Sequence, residues 1–103
     1  LNLNKNLLPG QSRIHYSPGI PLRVNAKRNR KNEAFLLFRK RKINKPNYFF
    51  LSKQGNLREA ARNLYRTLRK IRNYKYKSIA VGKIPNKGLG KTINDRLLKA
   101  SRF

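Results

Sequence analysis

Apolar residues in this chain come in short bursts, and the spacing within the bursts changes along its length. Residues 20–24, Ile-Pro-Leu-Arg-Val, predict a first short strand with Pro21 at its start or on a sheet edge. Residues 34–38, Ala-Phe-Leu-Leu-Phe, are a continuous apolar run, too short for a helix and rich in aromatics, hence a buried strand. Residues 47–52 predict a third. Lys53-Gln54-Gly55-Asn56 then makes a turn, with Asn56 placed to cap a helix. The period now changes. Leu57, Ala60, Ala61, Leu64, Tyr65, Leu68 and Ile71 recur at helical spacing and form one apolar face. Arg58, Arg62, Arg66, Arg69 and Arg72 lie on the opposite face, and Glu59 sits near the start, where the helix dipole favours an acid.

Residues 72–77 end that helix. Tyr74 and Tyr76 alternate with Lys75 and Lys77, a pattern that suits either base stacking between cations or a cover on the edge of the core. A further buried strand is expected over residues 79–84, then a Pro and glycine turn, then a helix over residues 93–100. Three strands, helix, strand, helix predict an α/β domain: a small sheet of about four strands with two helices packed on it, joined by a parallel crossover.

The turn before the last helix resembles a Walker phosphate loop, G-x-x-x-x-G-K-[ST]. Gly90, Lys91 and Thr92 fit, but Pro85 stands at the first glycine and has neither the free φ nor the N–H of that position. The stronger expectation is a tight strand-to-helix corner in which Gly88 and Gly90 take special backbone angles.

Residues 1–19 differ in kind. They are polar and punctuated by Pro9-Gly10 and Ser17-Pro18-Gly19, which predicts an extended linker arm ahead of a domain at residues 20–103. No Met occurs, even at position 1, so the chain is expected to continue something longer upstream.

Charge changes the picture more than length does. Twenty-seven Lys and Arg face three acids, Glu33, Glu59 and Asp95, for a net charge of +24. Such a balance attracts polyanions and opposes compaction. Arg39-Lys40-Arg41-Lys42 at a strand end, and Arg58, Arg62, Arg66 and Arg69 along the helix, are the candidate RNA-facing residues. The alternative is an ordinary solvated surface in a chain whose composition has drifted toward Lys and Asn. The absence of Cys rules out disulfides and thiolate chemistry, and one His with three scattered acids makes no typical metal site. No apolar run approaches the ~20 residues that span a bilayer, so the cytoplasm is the expected compartment and no membrane partner is expected.

Several blocks together resemble a known family. Ile79-Ala80-Val81, Ile84-Pro85, Gly88-Leu89-Gly90 and Ile93-Asn94-Asp95-Arg96-Leu97 are similar to the C-terminal end of the long, two-domain form of threonylcarbamoyl-AMP synthase. Leu51-Ser52, Gly55-Asn56-Leu57 and Glu59-Ala60-Ala61 through Asn63-Leu64-Tyr65 resemble its central helix. Pro9-Gly10-Gln11 and His15-Tyr16-Ser17-Pro18 resemble its interdomain linker. The order is right over residues 8–100. Lys87, Lys91 and Thr92 depart from the usual His, Glu and Ala, so the Walker-like residues look like basic drift on a structural corner.

The resemblance implies a small Rossmann-like second domain. It also implies that ATP and Mg2+ belong to a YrdC-like catalytic domain, which precedes the linker in the family and is absent from this sequence. Full-length members make L-threonylcarbamoyladenylate from threonine, bicarbonate and ATP for tRNA modification. Pro9, Gly10, His15, Tyr16 and Pro18 would belong to a linker that closes over the partner's active site. Pro85, Gly88, Gly90, Asn94, Asp95 and Arg96 form the domain's signature turn and helix. Asn94 and Asp95 are expected near the helix start, bonding backbone N–H groups, with Asp95 and Arg96 available for local pairs. No catalytic residue, cofactor or metal ligand is assigned to the chain, which is expected to be inactive alone. Three readings stay open: an accessory domain working with a YrdC-like partner, a free-standing basic RNA-binding module contacting tRNA, and a non-functional remnant.

Overall fold

The structure, a computed structural model, describes residues 19–101. The expected linker residues Pro9, Gly10, His15, Tyr16 and Pro18 lie outside the described residues. The elements run β1 (Leu22–Arg23), β2 (Glu33–Leu37), β3 (Tyr48–Phe50), α1 (Leu57–Arg72), β4 (Ser78–Val81) and α2 (Leu89–Ala100). The four strands form one sheet in the order β1-β4-β2-β3, and every pairing is parallel.

β2 is buried along its whole length because it lies between two neighbours and is covered on both faces. Its side chains alternate. Ala34 and Leu36 join Ile79 and Val81 of β4, Leu22 of β1 and Phe49 of β3 in the larger core, which also takes Ala60, Leu64, Leu68 and Ile71 from α1 and Ile93, Leu97 and Ala100 from α2. Both helices therefore pack on one face of the sheet. Phe35 and Leu37 point to the other face, with Ala80 and Ala26. Among the described residues no helix covers that face. Two connections do: residues 24–32, which bring in Ala26, and residues 38–47, which lay Arg41 over the Phe35 ring, its Cζ 4.9 Å from the centroid.

α1 starts where its capping chemistry dictates. The Asn56 side chain accepts a hydrogen bond from the Glu59 N–H at 2.9 Å, and the Ser52 hydroxyl donates to Glu59 Oε1 at 2.6 Å while accepting from the Asn56 N–H at 2.9 Å. Buried Ala60, Leu64, Leu68 and Ile71 confirm the expected apolar face, and Arg58, Arg62, Arg66 and Arg69 are exposed on the other. Tyr76 packs against the core, and Tyr74, Tyr76 and Phe49 form a ring cluster with centroids 5.7–5.9 Å apart. The tyrosines thus cover the core's edge, one of the two roles their pattern allowed.

The last corner departs from expectation in three ways. β4 ends at Val81 rather than at residue 84, and α2 begins at Leu89 rather than at residue 93, so the glycine turn supplies the helix's first residues. Gly88 does take an unusual conformation, φ 53° and ψ −131°. Gly90 does not; it is helical, and it is glycine because a Cβ there would run into the Pro85 carbonyl. The helix and the segment after β4 pack backbone to backbone at that point.

Candidate functional site

The sheet order determines where a ligand can sit. From the carboxyl end of β2 the chain leaves toward β3, and from that of β4 it leaves toward α2, which packs near β1. The two connections diverge and leave a crevice between the carboxyl ends of β2 and β4, where open parallel sheets bind ligands. It encloses about 350 Å3 and is lined by Leu37, Phe38, Arg39, Arg41, Lys83 and Pro85.

Local structure holds each wall. Leu51 and Ser52 donate backbone hydrogen bonds to Leu37 and Phe38 at 2.9 Å, extending the pairing past the strand ends and carrying Arg39 to the rim. Gly55, at φ 80°, turns against the Arg39 side chain, where a Cβ would lie 3.4 Å from Cδ. The Arg41 guanidinium stacks on Phe35, a cation–π contact that restricts its position. On the other side Gly82 continues the ladder with an N–H bond of 2.9 Å to Leu36 O, and a Cβ there would lie 2.8 Å from Leu37 Cδ2. Lys83 follows it and is exposed. Among the described residues three cations line the crevice and no acid does.

Lys83 also borders a second crevice of about 390 Å3 between α2 and the end of β1, to which Lys91, Asn94 and Asp95 contribute. Here the expected signature residues find structural work. Asn94 lies well inside α2, not at its start, and its Nδ2 donates to Ile84 O at 3.0 Å rather than accepting from backbone N–H groups. Asp95 forms a local pair with Lys99 one turn on at 3.1 Å, and the Arg96 Cζ lies 5.8 Å from the Tyr65 ring centroid. Pro85, Gly90 and Asn94 thus clamp the segment after β4 onto α2, and only Pro85 of the signature reaches the first crevice.

The candidate RNA-facing cations lie on two segments. Arg39 and Arg41 line the crevice and Lys40 and Lys42 follow the same exposed loop, while Arg58, Arg62, Arg66 and Arg69 lie on α1, on the opposite face of the sheet.

Sequence reasoning passed over Lys83 as a site residue and Glu33 as a structural hub. Glu33 is 1% exposed at the amino edge of the sheet. It accepts from Arg23 Nε at 3.0 Å and Nη2 at 2.8 Å, from Ser78 Oγ at 2.6 Å and from the Arg30 N–H at 2.8 Å. The Arg23 hydrogen bonds, chiefly, hold its pKa down at about 2 against the opposing effect of burial. Such a carboxylate is too weak a base for proton transfer near neutral pH. The signal for it was available: an acid directly ahead of the apolar run of β2, in a chain with only three acids.

Among the described residues no group of three or more His, Cys, Asp or Glu could hold a metal ion, and no helix is long and apolar enough to cross a membrane. Glu33 is saturated, Glu59 is tied to Ser52 and Asp95 to Lys99, and the described lining of the crevice is cationic and apolar.

No curated protein and no solved structure matches the chain. Over residues 2–102 it matches the family described as threonylcarbamoyl-AMP synthase, C-terminal domain. That match spans nearly the whole chain, whose described part is a small α/β fold of four parallel strands and two helices, and the chain belongs to that family of C-terminal domains.

Proposed function

We propose that this chain is the accessory domain of an L-threonylcarbamoyladenylate synthase and works beside a YrdC-like catalytic domain. The observation that carries the reading is the family match over residues 2–102. Threonine, bicarbonate and ATP would react on the catalytic domain, with Mg2+ held there; the scattered carboxylates of this chain do not fit a Mg2+ site. Residues 1–19, with His15 and Tyr16, would act as the strap that closes over that active site and excludes water from the adenylate.

The test is threonine-dependent release of pyrophosphate from ATP. The purified full chain is expected to give none. Mixed with a YrdC-like catalytic protein it is expected to co-purify and to change that protein's rate. Turnover by the chain alone, or neither association nor a change in rate, overturns the reading.

The cationic loop carrying Arg39, Lys40, Arg41 and Lys42 favours a second reading, contact with tRNA. Its signature would be an affinity that falls steeply as salt rises.

A further inference from the structure

We propose that the crevice between the carboxyl ends of β2 and β4 is a binding site for a nucleoside phosphate, with the phosphates on Arg39, Arg41 and Lys83 and the nucleoside against Leu37, Phe38 and Pro85.

Three observations converge on it. The position is the switch point of a parallel sheet, where the strand connections part and leave room for a ligand. The volume, about 350 Å3, is at the lower end of the range of small-molecule sites, roughly 300–1,000 Å3. The lining, among the described residues, divides by chemistry: three cations from two separate connections, and three apolar residues, with no carboxylate among them. Like charges gathered in one crevice repel, and an anion between them turns that repulsion into attraction.

The site is also largely preformed. Arg41 is stacked on Phe35, which leaves its guanidinium edge available for a phosphate. Arg39 is backed by the Gly55 turn. The Pro85 wall is anchored to α2 by the Asn94 hydrogen bond to Ile84 O and by the close approach of Gly90. Little ordering of the protein is then needed on binding. Lys83, between two crevices, can reach a ligand without giving up an existing ion pair or hydrogen bond among the described residues. The site differs from the Walker-like window, whose Gly90, Lys91 and Thr92 lie within α2.

The experiment is calorimetric titration of the full chain at 150 mM salt with ATP and, separately, with inorganic pyrophosphate. ATP is expected to bind, and more tightly than pyrophosphate because the apolar wall adds contact. Arg39→Gln with Lys83→Gln is expected to weaken ATP at least about tenfold. Lys70→Gln with Lys75→Gln removes the same charge elsewhere on the surface and is expected to change binding less than about twofold. Circular dichroism verifies that each variant is folded, and Lys83→Gln alone, at an exposed position, serves if the double variant is not.

No binding of ATP, or equal weakening by both pairs of substitutions, overturns the site. Equal affinity for pyrophosphate overturns the nucleoside contact. If tRNA binding is lost with Arg39→Gln and Lys83→Gln while ATP binds no form of the chain, the crevice takes RNA phosphates and the nucleotide proposal falls. The titration uses this chain without a catalytic partner, so its failure leaves the accessory-domain reading standing.

Discussion

Arg23 grips Glu33 with two nitrogens, Nε on Oε2 at 3.0 Å and Nη2 on Oε1 at 2.8 Å, and so joins the edge strand β1 to the central strand β2 across β4. The carboxylate is almost fully buried, and Ser78 of β4 donates to it as well. Three strands of the sheet meet on one side chain.

A pH dependence follows. The Glu33 pKa is lowered from its ordinary 4.5 to about 2, first by the Arg23 hydrogen bonds. A depressed carboxylate stabilises the fold fully above its unfolded pKa and loses that contribution as pH falls through the folded value. The window is therefore pH 4.5 down to 2, and the contribution is about 3 kcal/mol. Urea unfolding across this range should show it, and Glu33→Gln should remove most of the slope while lowering stability at pH 7 by about 3 kcal/mol, the lower end for breaking a buried ion pair. An unchanged slope in the variant would place the acid sensitivity elsewhere.

Gly88 and Gly90 lie two residues apart and are glycines for different reasons. Gly88 has φ 53° and nothing within 4 Å of an added Cβ, so Gly88→Ala should cost about 1–3 kcal/mol of backbone strain alone. Gly90 meets the Pro85 carbonyl, so Gly90→Ala should cost at least about 2 kcal/mol by forcing α2 away from that segment. D-alanine separates the two in chemically synthesised chains. At position 88 it should restore or exceed wild-type thermal stability, because its mirror-image preference matches the backbone.

At the start of α1, Asn56, Ser52 and Glu59 form one hydrogen-bonded unit. Asn56→Ala should destabilise by about 1 kcal/mol through loss of the cap on the Glu59 N–H. Ser52→Ala should also uncouple Glu59, and a double-mutant cycle of Ser52→Ala with Glu59→Gln should show coupling of about 0.5 kcal/mol or more. Strict additivity would contradict the 2.6 Å contact.

With a net charge of +24, the folded chain repels itself over distances that salt can screen. Raising sodium chloride from 0.1 to 1 M shortens the screening length from about 10 to about 3 Å and should raise the urea midpoint. A midpoint that falls would mean that paired charges outweigh the repulsion.

Element types were legible in the sequence because local pattern encodes them. The apolar run of β2, the period of α1 from Leu57 to Ile71 and the Asn56 cap all stand where the residues put them. The family, too, was carried by local blocks such as Gly88-Leu89-Gly90 and Asn94-Asp95-Arg96. Boundaries were less legible at the last corner. A Cβ clash between Gly90 and Pro85 involves two segments whose approach no local pattern records.

Only the tertiary structure decided which residues share a site. Strand order is set by which apolar faces fit together, and β4 goes between β1 and β2 although it is the last strand in sequence. That insertion brings Lys83 beside Arg39 and Arg41, more than forty residues earlier, and Ser78 onto Glu33. It also puts the cations of α1 on the face of the sheet opposite the one where Arg41 lies over Phe35. Charge is additive along a sequence, but binding depends on its direction in space, and the sheet supplies that direction.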